Sequence, residues 1–157
     1  MPVEGNLNTV SIQAFTSGIN FAKATIVFRL IVSANFAALL FEDFNNPFLK
    51  IIQFSVEPES DLLKLSSSEP AGTLEKYIQV RSELVVAYDC SAESSYSYST
   101  TFLEPLSRCY SVAEKISIRI NSIGQLSIQV MVPLRNGEKA FVEYSVGPLM
   151  QDSDDSV

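Results

Sequence analysis

The sequence predicts an α+β fold in which two β-α-β-β-β units place two short helices on the inner face of a curved antiparallel sheet. Short segments rich in β-branched and aromatic residues recur along the chain between turn residues, which is typical of antiparallel strands. Apolar residues recur at helical spacing in two places. With 157 residues, 46% of them hydrophobic, the chain is long enough for one domain with a buried core.

The first unit begins with a strand at residues 25–32, where the run TIVFRLIV is β-branched and aromatic. Ser33 is the predicted N-cap of a helix over residues 34–44, whose apolar side chains form one stripe. Pro47 ends this helix, because proline has no backbone N–H to continue the hydrogen-bond ladder. Three strands separated by proline-containing turns follow, at residues 49–56, 61–67 and 73–80.

The second unit repeats this order of elements. Short strands are predicted at residues 84–89 and 96–99. Thr100 or Thr101 is expected to cap a second helix, whose apolar stripe covers residues 102–113.

The three closing strands of the second unit show the clearest strand pattern. Apolar and polar residues alternate with period 2 at residues 115–121 and 125–132, and a last strand is expected at residues 139–146. Asn136-Gly137, between the last two strands, is the strongest short hairpin signal in the chain.

The composition excludes several kinds of catalytic and metal site. The chain has no histidine, which excludes Ser-His-Asp and Cys-His catalysis and histidine-ligated zinc. Two cysteines, Cys90 and Cys109, are too few for a four-cysteine zinc site, so we expect no metal and no cofactor. The net charge of −7 argues against a protein that coats nucleic acid by charge alone.

The apolar run at residues 24–40 is interrupted by Arg29, Ser33 and Asn35. It therefore falls short of the roughly 18 uninterrupted apolar residues that a membrane-spanning helix needs. The first residues of the chain show no signal-peptide pattern, so we expect a soluble intracellular protein with reduced thiols and no membrane contact. The acidic residues 149–157 are expected to form a disordered tail.

Two stretches of the chain carry a family resemblance. Residues 28–44 have the sequence FRLIVSANFAALLFEDF, and the last third contains KISIRIN at 115–121, GQLSIQ at 124–129 and FVEY at 141–144. The first stretch resembles the start of a clamp C-terminal domain. The motifs of the last third resemble the Rad-one (Rec-one) family of checkpoint clamp subunits, and FVEY is the most specific of them. The resemblance covers residues 25–148.

The resemblance implies a DNA-clamp (PCNA-like) fold and a subunit of a ring without catalytic activity. The ring would also contain Rad-nine and Hus-one type subunits, and a clamp loader would place it around duplex DNA at damage sites in the nucleus. There it would support DNA damage checkpoint signalling and DNA repair. Residues 25–148 would form a clamp C-terminal-type domain, preceded by an N-terminal remnant or linker at residues 1–24.

The resemblance also implies three sets of functional residues. The residues expected to face DNA are Asn35, Arg108 and Lys115. The edge expected to meet a neighbouring subunit includes Glu75, Tyr77, Ile78 and Val80. The edge expected to meet a second clamp domain includes Phe141, Val142 and Tyr144. The first helix offers Glu42 and Asp43 and no basic residue, so the surface expected to face DNA carries few positive charges. The alternative is that these residues form a solvated helix side without contact to DNA.

The chain departs from the family in one respect, since family subunits contain two clamp domains and this chain has length for one. We therefore expect a truncated form with open strand edges that cannot close a normal three-subunit ring. One alternative is a replicative-type clamp, which would form a homotrimer. Another is a metal-dependent 3′-5′ exonuclease, for which the densest carboxylates are Glu57, Glu59 and Asp61, although solvated turn residues explain these acids better.

Overall fold

Nine β-strands and two short α-helices make up residues 24–70 and 72–150, the part of the chain that the computed structural model describes. The predicted N-terminal segment lies outside these residues except for Ala24, and the predicted tail lies outside them except for Leu149 and Met150. The elements are β1 (Ile26–Ser33), α1 (Ala34–Phe41), β2 (Ile51–Val56), β3 (Leu62–Glu69), β4 (Gly72–Gln79), β5 (Val85–Cys90), β6 (Ser94–Ser99), α2 (Leu103–Ser107), β7 (Lys115–Asn121), β8 (Leu126–Pro133) and β9 (Lys139–Val146).

The strands form two antiparallel sheets, with the orders β5-β1-β7-β8-β9 and β4-β3-β2-β6. The strand that leads into the helix of each predicted unit pairs with a strand of the other unit, since β1 lies beside β7 and β6 lies beside β2. The α+β class and the two units are thus confirmed, and the curved sheet of the prediction is divided into two. Period-2 patterning predicts which face of a strand is buried. Which strands pair with one another depends on packing between segments that are distant in the sequence.

The first helix begins at the predicted residue. The Ser33 hydroxyl accepts a hydrogen bond from the Phe36 N–H at 3.2 Å, which confirms Ser33 as the N-cap. The α-helix ends at Phe41, and a 3₁₀ turn over Glu42–Phe44 completes the predicted span.

The second helix is shorter than predicted, and its cap is a different residue. The Ser99 hydroxyl accepts from the Thr101 N–H at 3.3 Å, so neither predicted threonine is the cap. A 3₁₀ turn over Thr100–Phe102 leads into α2. After α2 the chain continues in turns and not in a helix, and there the Cys109 N–H donates to the Leu106 carbonyl at 2.9 Å. The prediction was wrong because apolar residues at three-residue spacing bury one face of a 3₁₀ turn as well as of an α-helix.

One core is shared by both sheets and both helices. Phe41 of α1 packs against Phe102 and against Phe54 of β2, with ring centroids 6.2 Å apart in each case. Phe54 in turn packs edge-on against Tyr98 of β6 at 5.5 Å. The Tyr98 hydroxyl donates to the Gly124 carbonyl at 2.8 Å, which joins the four-stranded sheet to the turn between β7 and β8. The helices are therefore held against a single aromatic core.

The predicted hairpin joins β8 to β9. The Leu134 N–H donates to the Glu138 carbonyl at 2.7 Å, and Gly137 adopts a φ of +86° in the turn between them. Glycine reaches this left-handed conformation without steric cost, which is why Asn-Gly predicted the turn.

Candidate functional site

The two helices lie beside a groove of about 280 Å³ that is lined by residues of both, among them Ala38, Glu42 and Ser107. The Asn45 side-chain amide, just after α1, donates to Glu104 Oε1 of α2 at 3.3 Å and links the helices directly. We call the surface that they present the helix face, defined by Asn35, Glu42, Asp43, Asn45, Glu104 and Arg108. This is the surface on which the family resemblance implies contact with DNA.

The predicted DNA-facing residues lie on or beside the helix face. Asn35 is exposed in the first turn of α1, and half-buried Lys115 is paired across the sheet with Ser33 at the start of that helix. Arg108, whose side chain is 77% exposed, follows α2, and its Nε donates to Glu104 Oε2 at 3.4 Å. The structure thus gathers Asn35 and Lys115 at the start of α1 and places Arg108 beside a carboxylate.

Carboxylates accompany most of the basic side chains near the helices. Lys76 of β4 donates to the Leu39 carbonyl near the end of α1 and pairs with Asp43 at 3.1 Å. At the start of α1, Lys139 pairs with Glu114 at 3.5 Å. Sequence reasoning missed Lys76, because a lysine in the interior of a predicted strand gives no indication that it reaches a helix end.

Strand β4 lies at one end of the four-stranded sheet. The Val80 N–H donates to the Asp61 carbonyl at 2.9 Å, and hydrogen-bonded pairs alternate along an antiparallel ladder. The peptide groups of Glu75 and Tyr77 consequently face away from β3. Their side chains are exposed on the sheet surface, whereas the side chains of Ile78 and Val80 are buried in the core. The predicted interface set is therefore half surface and half core.

An apolar groove of about 390 Å³ lies beside β4. Phe36 and Leu39 of α1, Tyr77 of β4 and Leu84 of the following loop contribute to its walls. Leu39 and Leu84 are large apolar side chains left more than half exposed. The predicted apolar stripe of residues 34–44 includes Leu39, which is exposed, because helical spacing marks apolar positions without showing how wide the buried stripe is.

Strand β9 is the last strand of the five-stranded sheet, and β8 is its neighbour there among the described strands. The Phe141 side chain is exposed, while Tyr144 is buried, with its hydroxyl 3.5 Å from the Cys109 sulfur. Burial raises the pKa of Tyr144 above its usual range. Of the predicted inter-domain residues, Val142 and Tyr144 thus pack against the core, and Phe141 presents its side chain outward.

A buried polar network crosses the outer side of the same sheet. Arg119 of β7 pairs with Glu143 of β9 at 3.2 Å, and the Ser127 hydroxyl of β8 donates to the same carboxylate. Gln129 donates to the other carboxylate oxygen at 3.4 Å. Burial lowers the pKa of Arg119, while the charge of Glu143 opposes this shift. Glu143, the acid of the FVEY motif, therefore holds three strands together.

The acidic residues of the exonuclease alternative do not form a metal-binding cluster. Within the described ranges, no three His, Cys, Asp or Glu side chains lie where they could hold a metal ion. Asp61 instead pairs with Arg81 at 2.5 Å. Cys90 and Cys109 are free thiols, and no helix of the described chain is long and apolar enough to cross a membrane.

The sequence model of one protein family, described as repair protein Rad1/Rec1/Rad17, matches residues 2–132. The chain belongs to this family. The predicted resemblance is thereby confirmed, and the clamp fold with it. The match begins ahead of β1 and ends within β8, so the FVEY motif lies beyond the matched residues.

Three curated relatives are named as checkpoint proteins. The cell cycle checkpoint protein RAD1 of Mus musculus is 31% identical over 98 residues, which are 62% of this chain and 35% of the mouse protein. The Homo sapiens protein of the same name is 24% identical over 133 residues, 85% of this chain and 47% of its own length. The DNA damage checkpoint control protein rad1 of Schizosaccharomyces pombe is 28% identical over 143 residues, 87% of this chain and 42% of its own length. The chain thus spans less than half the length of these relatives.

Proposed function

We propose that this protein is a subunit of a checkpoint sliding clamp that encircles duplex DNA at damage sites in the nucleus. In this role it supports DNA damage checkpoint signalling and DNA repair as a platform, without catalysing a reaction. The chain belongs to the Rad1/Rec1/Rad17 family, and the observation that carries the proposal is its β4 edge. Peptide groups along this edge face away from the sheet and lie beside an apolar groove. Such an edge is suited to pairing with a strand of another chain.

The β4 edge is the proposed contact with a neighbouring subunit of the Rad-nine or Hus-one type. A partner strand would bond to the outward peptide groups of Glu75 and Tyr77, and its apolar side chains would enter the groove beside Leu39 and Leu84. Ile78 and Val80 would support this edge from the core. Burial of the exposed leucines supplies affinity, and the strand pairing supplies register.

The β9 edge is the proposed contact with a second clamp domain. Its position at the end of the five-stranded sheet supports this assignment, and so does the outward side chain of Phe141. Val142 and Tyr144 would act indirectly, because they fix β9 against the core. Residues 1–24 would belong to a first clamp domain, which the family match from residue 2 onward supports over an unrelated linker.

The helix face and the neighbouring Lys115 are the proposed surface toward duplex DNA, with Asn35, Arg108 and Lys115 as the phosphate-contacting residues. A clamp that slides needs weak contacts independent of base sequence, and a few basic side chains are enough for such contacts. The ion pairs around the helices agree with weak binding. A clamp loader is a further proposed partner.

Co-purification with Rad-nine and Hus-one type subunits tests this function, and two aspartate variants provide the comparison. Leu84 lines the groove and Ile123 lies in the turn between β7 and β8, yet both side chains are 61% exposed. We expect Leu84→Asp to weaken co-purification with one subunit by tenfold or more, about 1.4 kcal/mol, and Ile123→Asp to leave it unchanged.

Two results would contradict the proposed function. One is that neither clamp subunit co-purifies with the wild-type chain. The other is that light scattering shows a homotrimer of the chain alone and that the chain binds neither subunit, which would favour a replicative-type clamp. Equal effects of Leu84→Asp and Ile123→Asp would reject the β4 edge as the contact.

A further inference from the structure

We propose that Glu104 is a positioning residue that sets the strength of phosphate contact on the helix face by holding Arg108. The inference rests on the proposed function, because it takes the helix face as the surface that meets duplex nucleic acid. Glu104 thereby joins the residues of the helix face that act on DNA binding, and its negative charge opposes the binding that the predicted basic residues favour.

The geometry around Glu104 fixes the carboxylate from two sides. Its Oε1 accepts from the Asn45 side-chain amide at 3.3 Å, and its Oε2 accepts from Arg108 Nε at 3.4 Å. Asn45 belongs to the segment after α1, so the contact holds the carboxylate beside α2 from the neighbouring helix. Arg108 lies four residues beyond Glu104, the spacing at which side chains on a helix meet.

Arg108 is the basic residue best placed on the helix face to reach a phosphate. Lys76 is already occupied by the Leu39 carbonyl and Asp43, and Lys115 is half-buried at the start of α1. A phosphate that approaches Arg108 meets the negative charge of Glu104 a few ångströms away. Since like charges repel at this range, the carboxylate lowers the affinity of the Arg108 side for DNA.

Removing the charge of Glu104 while keeping its shape tests the idea. In the Glu104→Gln variant, Arg108 is released from its ion pair, and the variant is expected to bind duplex DNA about twofold more tightly than wild type at low salt, the effect of losing one exposed ion pair. The slope of log affinity against log salt concentration is expected to steepen by at most about 0.9, the contribution of one further phosphate contact. Fluorescence anisotropy of the full chain with a short labelled duplex measures both quantities.

The Glu42→Gln variant is the matched control. Glu42 lies on the same face and is exposed, and within the described ranges it forms no ion pair, so its replacement changes the net charge equally without releasing an arginine. We expect a smaller gain from Glu42→Gln and an unchanged salt slope. In an Arg108→Gln background, the gain from Glu104→Gln should fall to that of Glu42→Gln, whose own gain should stay the same.

Three outcomes would overturn the inference: equal gains from the two glutamine variants, a Glu104→Gln gain that is undiminished in the Arg108→Gln background, or no binding of Glu104→Gln to the duplex at the lowest salt tested. Each of these is separable from failure of the proposed function. Co-purification with the clamp subunits reports on the β4 edge and does not depend on the charge of Glu104.

Discussion

Replacing Glu143 with alanine is expected to destabilise the domain more than the loss of any exposed ion pair. The side chains of Arg119 and Glu143 are only 19% and 9% exposed, and the carboxylate also accepts from Ser127 and Gln129. Glu143→Ala removes the carboxylate that faces the Arg119 guanidinium and leaves that positive charge largely shielded from water. The substitution also removes the acceptor for the Ser127 hydroxyl.

The magnitude follows from the burial of the pair. Breaking a buried ion pair from one side costs about 3–5 kcal/mol, and the residual exposure of Arg119 places this case at about 3 kcal/mol. For a protein of this length, each kcal/mol lowers Tm by about 2–4 °C, so a decrease of about 6–12 °C is expected. This is a large part of the roughly 5–15 kcal/mol that stabilises a typical domain.

Chemical and thermal unfolding followed by circular dichroism measures the effect, and Asp89→Ala is the matched control. Asp89 pairs with Arg29 at 3.0 Å in the same sheet, but these side chains are 71% and 43% exposed, so the expected loss is at most about 1 kcal/mol. The double variant Arg119→Met/Glu143→Leu is expected to recover most of the stability, because apolar side chains can replace a buried ion pair. Equal losses for Glu143→Ala and Asp89→Ala would refute this reasoning.

Two further predictions concern the turn between β7 and β8 and the buried tyrosines. Gly124 and Gly137 have φ values of +88° and +86°, but a Cβ at Gly124 would lie 2.6 Å from the Tyr96 ring, and at Gly137 it would meet no atom within 4 Å. Gly124→Ala should therefore destabilise by about 1–3 kcal/mol more than Gly137→Ala in urea unfolding, and equal losses would contradict this account. Burial raises the pKa of Tyr98 and Tyr110 above their usual value, and it raises the pKa of Tyr88 to about 12. Because the folded pKa values exceed the unfolded value of about 10, stability is complete below pH 10 and falls as pH rises toward the folded values. Tyr98→Phe should lower the free energy of unfolding by about 1 kcal/mol at neutral pH, because the hydrogen bond to the Gly124 carbonyl is lost. Above pH 10, the variant should lose stability less steeply than wild type, by up to about 1.4 kcal/mol per pH unit. An unchanged slope of stability against pH would contradict this account.

The candidate surfaces were predictable where a local pattern marks them. The turn signals that precede them identified β4 and β9, and Arg108 was found from its place beside the apolar stripe of the second helix. Patterns of this kind predict which residues share a face, but not which of those faces a neighbouring element covers. The apolar groove beside Leu39 and the ion pair between Lys76 and Asp43 therefore became visible only in the structure.

The same division explains the role of Glu143. The FVEY motif suggested the family, yet the partner of its acid lies on β7, and the contact exists only because β8 lies between β7 and β9. Side chains that meet across strands distant in sequence leave no periodic trace, so a single sequence marks such a residue without showing its contact.

The sequence by itself determined the class of fold, the number of units, the first helix cap and the Asn-Gly hairpin. These features depend on interactions within a few residues, such as a hydroxyl accepting a backbone N–H or a glycine reaching a positive φ. The tertiary structure decided which strands are neighbours and thus how β1 and β6 are exchanged between the two units. It also decided the length of α2, which ends at Ser107. Burial of side chains in the shared core, and not local helix propensity, sets where this helix ends.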